Sequence, residues 1–186
     1  MICISKGKAK ITNRIPDDKE LIVELKKPVD FLGFTEFIAN KKYKTAAVAL
    51  ENSSVCIIDK EDFLKVLNEN SRLSLRIMNF FADELSKAQH KTLSLTQKYM
   101  PARLAEALLE FANLYGINLE DGLVIHTLLR RDDLAALAGM TTSSVSRTLT
   151  AFEKEGLIQV QGRRIRILNK KKLEEISSEY SPPSIS

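Results

Sequence analysis

The sequence has few of the residues from which covalent and metal sites are built. It contains two cysteines, Cys3 and Cys56, and two histidines, His90 and His126, far apart along 186 residues. Two cysteines are too few for a disulfide framework, a cysteine-rich zinc site or an iron–sulfur cluster. Neither histidine lies in a context typical of haem ligation. No nucleophile–base pair, phosphate loop or metal-ligand cluster is found, so an enzyme has little support.

Long apolar runs are missing as well. No stretch approaches the roughly 20 residues that a membrane span needs. Residues 1–6 lack the layout of a signal peptide, because their apolar stretch comes first and is too short. With so few cysteines, we expect a soluble protein of the reducing cytoplasm that has no membrane partner. Hydrophobic residues make up 44% of the chain, which is enough for a packed core.

Positive charge is concentrated in one segment of the chain. The formal net charge is +4, whereas residues 140–172 alone hold 8 basic and 2 acidic residues. Dense local positive charge suits a polyanion such as nucleic acid. A solvated lysine-rich face would give the same count, so the charge alone leaves both interpretations open.

The first 58 residues favour β structure, since short apolar runs alternate with polar residues at roughly ten-residue spacing. Strands are predicted around residues 2–4, 9–11, 21–25, 45–50 and 55–58. A turn is predicted at residues 16–18. Residues 30–40, which include Gly33, break the rhythm and are expected to hold a short helical turn. This pattern indicates a small β sandwich or barrel.

After residue 59 the period becomes helical, with a short helix predicted over 60–68 and a long one over 71–99, which lacks Gly and Pro. Apolar and small residues repeat along the long helix at spacings of 3 and 4: Met78, Phe81, Leu85, Ala88, Thr92, Leu95 and Tyr99. We call this row the seam; such a heptad favours pairing with a second helix. The alternative is packing on the helix's own β domain, and both can hold on different flanks.

Pro101 predicts a break, because its ring favours the first turn of a new helix and disfavours helix at Met100. We place a domain boundary at residues 98–101. A helix is expected over 102–115, ended by Gly116, and a strand over 123–125.

Residues 131–157 hold the most specific pattern in the sequence. A helix is predicted over 131–140, with a turn at Gly139. A second helix is predicted over 143–155, and Thr141 and Thr142 are the candidates for its N-cap. The pattern is that of a helix-turn-helix. Its predicted shared core is Leu134, Ala138, Met140, Val145 and Leu149. An ordinary helical hairpin is the alternative, and the segment that follows argues against it.

A β-hairpin is predicted next, over 157–160 and 164–168, with a turn at Gln161-Gly162 and arginines around it. A helix-turn-helix with a basic hairpin is a winged helix, whose second helix can enter the DNA major groove. The candidate DNA-binding residues are Thr142, Ser143, Ser146 and Arg147 on that helix and Arg163 and Arg164 in the wing. The rival hypothesis is a ligand-sensing signalling module whose winged helix docks on a protein partner.

The order of these parts resembles the cyclic-AMP receptor protein and fumarate–nitrate regulator (Crp/Fnr) family of bacterial transcription regulators. The resemblance is strong over residues 100–168, where 133–149 match the family's recognition unit and 153–158 its helix-to-wing junction. It implies an α+β fold: a partial β-barrel like a cyclic-nucleotide-binding jelly roll (1–70), a dimerisation helix (71–99) and a winged helix-turn-helix (100–186). It also implies that Arg147 reads a guanine, while Ser143 stands where many members carry a glutamate and Thr142 replaces an arginine of the cyclic-AMP-responsive members.

On the effector side the sequence departs from the family. The family's Gly-Glu turn and Arg-Ser/Thr pair correspond to Leu32-Gly33 and Lys44-Thr45, and lysine lacks the bidentate fork for a cyclic phosphate. Gly33, Lys44 and Thr45 are kept as candidates for an effector, although ordinary strand-edge residues are the simpler interpretation. No cofactor is expected, since cyclic AMP, haem and an iron–sulfur cluster all lack their binding residues.

Members of this family have several more strands before the region that resembles residues 2–11. Two expectations follow: either Met1 is an internal start, or the sensory barrel is reduced. The resemblance implies a homodimer that binds a palindrome in double-stranded DNA. RNA polymerase and an unknown small-molecule effector stay open as further partners.

Overall fold

The computed structural model describes residues 1–15, 19–119, 122–125 and 130–180. In these ranges a β-rich part, a long helix and a mixed C-terminal part follow one another, the α+β class that the sequence predicts. The described strands are β1 (Ile2–Lys6), β2 (Ala9–Ile15), β3 (Lys19–Lys26), β4 (Phe31–Leu32), β5 (Ala46–Ala49), β6 (Ser54–Ile57), β7 (Gly116–Leu119), β8 (Gly122–Ile125), β9 (Ile158–Gln161) and β10 (Arg164–Ile167). The described helices are α1 (Phe34–Ala39), α2 (Lys60–Glu69), α3 (Ser71–Gln97), α4 (Met100–Tyr115), α5 (Arg131–Ala138), α6 (Thr142–Lys154) and α7 (Lys170–Ser177).

The N-terminal strands form two antiparallel three-stranded sheets, ordered β4-β1-β6 and β3-β2-β5. A small core joins them: Ile4, Ala9, Ile11 and Leu32. Among the described residues these sheets do not close on themselves, which agrees with the predicted partial barrel. The turn predicted at residues 16–18 lies outside the described residues, as does His126.

An aromatic cluster packs α3 against the β4-β1-β6 sheet. Met1, Phe34 and Phe37 are buried in it, and residues of α3 pack against them. The rings of Phe34 and Phe81 stack with their centroids 5.1 Å apart. Phe81, which its spacing assigns to the seam, therefore packs within its own chain. α1 is the helical turn predicted in residues 30–40.

No loop separates α2 from α3, because Asn70 ends the first helix and begins the second. Its side chain accepts a hydrogen bond from the backbone N–H of Leu73 (3.0 Å). The Ser74 hydroxyl donates to the carbonyl oxygen of Leu67 (2.9 Å), across the same junction. These bonds satisfy groups that helix ends otherwise leave unpaired.

The bend between α3 and α4 lies at residues 98–99, where the backbone is extended. Glu106 holds this bend: its carboxylate accepts from the Ser94 hydroxyl and lies 3.3 Å from the Lys98 ammonium and 3.4 Å from His90 Nδ1. Met100 is the first residue of α4, so the expectation that it lies outside the helix is wrong. A residue before proline disfavours the helical conformation but can still adopt it, as Met100 does here. Pro101 lies in the first turn of α4, where a backbone N–H has no partner within the helix, so its missing N–H costs no hydrogen bond.

The C-terminal part packs α4–α7 on a four-stranded sheet ordered β7-β8-β10-β9. Leu104, Leu108 and Phe111 of α4 lie at the centre of its core, with Leu173 of α7 against them. β7 and α7 are not predicted from the sequence. Gly116 ends α4 as predicted, but in an extended conformation (φ −77°, ψ 144°) that leads directly into β7.

The second N-terminal sheet contacts this C-terminal part. Ile22 and Leu25 of β3 are buried in the same hydrophobic cluster as the core of α4–α7. The Tyr115 hydroxyl lies 3.3 Å from the carbonyl oxygen of Ala9 and 3.1 Å from that of Lys26. Burial raises the pKa of this phenol far above its ordinary value, so it stays protonated as a donor.

A buried ion pair completes the contact. The Lys10 ammonium of β2 lies 2.7 Å from Asp133 Oδ1 of α5, and the two side chains are 11% and 8% exposed. The other carboxylate oxygen of Asp133 accepts from the backbone N–H of Arg130 (3.3 Å) at the start of α5. One side chain thus joins the β2–β3 sheet to the first helix of the helix-turn-helix.

Among the described residues no helix is both long and apolar enough to cross a membrane.

Candidate nucleic-acid interface

The turn between α5 and α6 is held by contacts from two other helices, α3 and α4. Gly139 has left-handed dihedrals (φ 61°, ψ 46°), and a Cβ added there would come within 2.7 Å of Leu95 Cδ2. The Arg103 guanidinium donates to the Gly139 carbonyl oxygen (3.0 Å). The left-handed conformation therefore favours glycine at this position, and any side chain there would also displace the end of Leu95.

α6 has one buried face and one exposed face. Thr141 begins the helix, and its Oγ1 accepts from the backbone N–H of Ser144 (3.2 Å). The predicted shared core is confirmed at Leu134, Ala138, Val145 and Leu149, and Met140 is partly buried against them. Because this core covers one side of α6, the other side is free to meet a ligand.

The exposed face carries all four predicted residues, Thr142, Ser143, Ser146 and Arg147. The Ser146 hydroxyl donates to the Thr142 carbonyl oxygen (3.0 Å), so its lone pairs are left to accept. The Arg147 guanidinium makes one long contact to Ser144 Oγ (3.4 Å).

The alternative role for Arg147 is a surface ion pair with Glu153 or Glu155. Glu153 instead accepts a hydrogen bond from the backbone N–H of Val160 (2.7 Å), so it binds the wing. Glu155 is the residue that ends α6, and it lies at the far end of that helix from Thr142.

The wing is the β9–β10 hairpin. Gln161 pairs with Arg164, which leaves Gly162 and Arg163 as the two turn residues, one position later than predicted. Gly162 has a positive φ of 63°, as the tight turn requires. Arg163 therefore lies in the turn itself and Arg164 begins β10, and both are exposed. Ile165 and Ile167 face the core and hold the hairpin in place.

A cleft of about 380 Å³ lies between the wing and the start of α5. Its lining residues are Arg130, Arg131, Asp132, Gly162 and Arg163. Three guanidinium groups against one carboxylate make it positively charged. Arg130 and Arg131 are not among the residues predicted from the sequence, although an Arg-Arg pair directly before a helix-turn-helix could have indicated them.

The seam residues differ in their surroundings. Met78 and Leu85 are 57% and 61% exposed, large values for apolar side chains, and Ala88 is exposed as well. Phe81 packs in the aromatic cluster, and Leu95 lies against Gly139. The structure thus leaves Met78, Leu85 and Ala88 as an open apolar strip on α3.

The candidate effector residues lie around the start of α1. Gly33 begins that helix with a positive φ of 65°, and the Tyr43 ring lies against it, so that an added Cβ would displace this ring. Lys44 is exposed and Thr45 is half-buried, both just before β5. Gly33 and the segment 43–45 are therefore neighbours.

No three His, Cys, Asp or Glu side chains meet as metal ligands within the part of the chain that the structure describes.

Two family models match the chain, one for each part. Residues 1–70 match the cyclic nucleotide-binding domain, and residues 102–176 match the Crp-like helix-turn-helix domain. Both matches agree with the fold described above.

Relatives of known role cover most of the chain. The anaerobic regulatory protein of Bacillus subtilis (strain 168) is 29% identical over 90% of this chain and 71% of its own length. The transcriptional activatory protein AadR of Rhodopseudomonas palustris is 28% identical over 93% of this chain and 71% of its own length.

Solved structures share the fold. FixK2 of Bradyrhizobium japonicum superposes with a TM-score of 0.83 at 21% identity, over 97% of this chain and 88% of that one. A CRP-family transcriptional regulator of Thermus thermophilus gives a TM-score of 0.80 at 21% identity, over 96% of this chain and 87% of that one. With both domain matches and these relatives, the chain belongs to the Crp/Fnr family of transcription regulators, proteins with a helix-turn-helix DNA-binding domain that are not enzymes.

Proposed function

We propose that this chain binds a palindromic operator in double-stranded DNA as a homodimer. The observation that carries the proposal is the exposed polar face of α6 beside the arginine-bearing turn of the wing. An α-helix fits the major groove of B-form DNA, and the buried side of α6 leaves this face outward. Because the target is DNA, we place the protein in the cytoplasm of a bacterial cell.

Base reading is assigned to the first two turns of α6. Arg147 follows Ser143 by one helical turn, so both side chains share the outer face. A guanidinium can bind guanine O6 and N7 together, and Thr142, Ser143 and Ser146 supply short hydroxyls. A serine at 143 cannot accept from a cytosine amine as strongly as a carboxylate does, so we expect an operator that differs from the family's usual half-site.

Phosphate binding is assigned to the wing and to the cleft beside it. Arg163 and Arg164 are exposed at the hairpin turn, and Arg130 and Arg131 face the same cleft. Guanidinium groups bind phosphate oxygens in bidentate fashion. These contacts would fix the position of α6 on the duplex without reading its sequence.

Dimerisation is assigned to the open apolar strip of α3. Met78, Leu85 and Ala88 are exposed in the single chain, and a second copy of the helix would cover them. Two parallel copies of α3 would hold two α6 helices about 34 Å apart, one turn of DNA. The parts of the chain would then be a sensory part (1–70), the dimer helix (71–99) and a DNA-binding part (100–186), divided at residues 98–101.

We propose no cofactor for the sensory part. Leu32 stands where a ribose-binding glutamate would be, and Lys44 replaces the arginine for a cyclic phosphate. Lys44 is exposed, and within the described ranges no ion pair fixes its ammonium in place, unlike that of Lys98. RNA polymerase and a small molecule other than cyclic AMP are the further partners that this function would use.

A salt titration tests the proposal. Binding of the full chain to a duplex selected from random oligonucleotides is followed by fluorescence anisotropy. A dimer that uses several arginines per subunit should lose about 10³–10⁵-fold in affinity between 50 and 200 mM salt. A scrambled duplex should bind more weakly but with a similar salt dependence.

Arg163→Ala is the test variant and Lys170→Ala its control. Lys170 is also an exposed cation, but it pairs with Glu174 of its own helix (3.5 Å). The first variant should weaken binding to all duplexes, and the second should leave it unchanged. If the chain binds no duplex at any salt concentration, the winged helix docks on protein and the proposal is wrong.

A further inference from the structure

Cys3 and Cys56 face each other across the ladder of β1 and β6. The register pairs these two residues directly, between the pairs Ile2–Ile57 and Ile4–Val55. Opposed residues of antiparallel strands point their side chains to the same face of the sheet, with Cβ atoms about 4.5–5.5 Å apart. Both cysteines are free thiols.

The hydrogen bonds of the ladder define the type of this pair. Met1 and Ile58 exchange two bonds, from the Ile58 N–H to the Met1 carbonyl (2.8 Å) and from the Met1 amino group to the Ile58 carbonyl (2.9 Å). Bonded and non-bonded pairs alternate along an antiparallel ladder, so Cys3 and Cys56, two residues on, form a bonded pair with Cα atoms about 5.5 Å apart. That Cα separation lies within the range that a disulfide spans, but the Cβ atoms must approach to about 3.5–4.5 Å. The bond therefore forms only if the two strands move slightly together, and the strain makes it easier to reduce.

The two thiols differ in access. Cys56 is exposed on an edge strand, and Cys3 is half-buried on the central strand. Burial raises the pKa of the Cys3 thiol, and the neighbouring Cys56 and Asp30 raise it further. The exposed Cys56 is therefore the thiol that meets an oxidant first, and Cys3 is the resolving thiol beside it.

We propose that Cys3 and Cys56 form a reversible thiol–disulfide couple that a low-molecular-weight disulfide oxidises. The Cys56 thiolate attacks one sulfur of that disulfide, whose S–S bond breaks and releases one thiol. The Cys3 thiolate then attacks the Cys56 sulfur and releases the second thiol. The two protein thiols lose two protons and two electrons, and the small disulfide is reduced to two thiols.

The couple lies on the face of the sheet that carries α3. Met1 and Ile58, two residues along each strand, belong to the aromatic cluster, and so does Phe31, the partner of Cys3 on β4. A disulfide would join the two strands beneath this cluster. Oxidation would therefore restrain the part of the sheet on which α3 rests, whether or not the chain binds DNA.

The test uses the purified, fully reduced chain. It is equilibrated in a series of reduced and oxidised glutathione ratios, quenched with acid, alkylated and analysed by mass spectrometry. The wild type should lose both alkylation sites together, and an unreduced digest should contain one peptide pair that joins Cys3 to Cys56. The equilibrium constant should be about tenfold or more higher in the folded chain than in urea, because folding raises the effective concentration of the two thiols.

Two variants serve as controls. Cys3→Ser should stop at a stable mixed disulfide on Cys56, because no resolving thiol is present. The double variant Val55→Cys/Cys56→Ser keeps two thiols but moves one to position 55, which pairs with Ile4 on the opposite face. This variant should form no internal disulfide, and circular dichroism checks that both variants are folded.

Several results would overturn the inference. The wild type would keep two free thiols in oxidised glutathione, would stop at a mixed disulfide, or would form a disulfide only between two chains. Equal equilibrium constants in the folded and urea-unfolded chain, or an internal disulfide in Val55→Cys/Cys56→Ser, would do the same. DNA binding enters none of these measurements, so a failure here is separate from a failure of the proposed function.

Discussion

Lys10→Met removes the cation from the buried ion pair between β2 and α5 and leaves the Asp133 carboxylate without it. The two side chains are 11% and 8% exposed, and their charged atoms lie 2.7 Å apart. Breaking a buried pair from one side costs about 3–5 kcal/mol. Methionine retains most of the aliphatic stem, and Asp133 keeps its bond from the Arg130 N–H, so we expect the lower end, about 3 kcal/mol. For a chain of this size that lowers Tm by roughly 6–12 °C.

A double-mutant cycle isolates the pair. Asp133→Asn removes the charge but keeps a side-chain oxygen that can accept from the Arg130 N–H. If the pair is the cause, Lys10→Met/Asp133→Asn should cost clearly less than the sum of the two single variants, with a coupling of about 2 kcal/mol. The free energy of unfolding is measured by circular dichroism in urea. Lys6→Met is the control, since Lys6 is exposed on β1 and its loss should change stability by less than about 0.5 kcal/mol.

A stabilising ion pair is refuted if the effects of the single variants add to within about 0.5 kcal/mol, which would mean that the two charges do not interact across the contact. It is also refuted if Lys10→Met and Lys6→Met have the same effect. In that case the loss would reflect lysine removal in general and not the ion pair.

Four further predictions concern the dimer, the effector, DNA reading and the contact between the two parts. Leu85→Glu should convert the dimer to a monomer or aggregate in sedimentation, because it places a charge in an apolar seam. Calorimetry with cyclic AMP should show no binding at physiological concentrations, given the departures at Leu32 and Lys44. Arg147→Ala should cost roughly 1–3 kcal/mol in DNA binding and relax preference at one base pair, whereas Arg164→Ala should weaken all sequences and reduce the salt slope by about one. Tyr115→Phe should cost about 1 kcal/mol of stability, because it removes a buried donor.

Each of these has an outcome that contradicts it. Leu93→Glu is the control for the dimer, since Leu93 is exposed on α3 but off the seam; equal behaviour of both variants would move the interface elsewhere. A micromolar cyclic-AMP site would show that Lys44 can replace the arginine. If Arg147→Ala keeps the selected consensus and Arg164→Ala alters it, helix and wing have reversed roles. An unchanged Tm for Tyr115→Phe would mean that its hydroxyl bonds contribute nothing net.

The helix-turn-helix and the hairpin could be predicted because their signals are local. Gly139 marks the turn, Thr141 the helix start, and alternating residues such as Ile165 and Ile167 the strand that faces the core. The wing turn was predicted one residue early, because Gly162 can occupy either central position of a two-residue turn and only the pairing of Gln161 with Arg164 decides between them.

α7 and the contact between the two parts could not be predicted. In α7 only Leu173 is fully buried, and Ile176, three residues on, is partly buried against the same core. Two apolar residues in a helix of eight are too few to establish a period, and its lysines look like part of the basic wing. Two of those lysines pair with acids of the same helix, so the positive charge counted over 140–172 overstates what faces DNA. Lys10 and Asp133 are 123 residues apart, and no local pattern indicates that two such distant charges meet.

The junction at Asn70 has a mechanical consequence. Since α2 passes into α3 at a single residue, without a loop, a rotation of α2 at the sheet would be transmitted through Asn70 to a helix of 27 residues. Such a rod is about 40 Å long, so a tilt of about 5° at Asn70 moves its far end by about 3.5 Å. Leu95, near that end, touches Gly139 in the turn before α6. A shift of this size is comparable to the distance of a van der Waals contact, so such a tilt would break or remake the contact between Leu95 and Gly139.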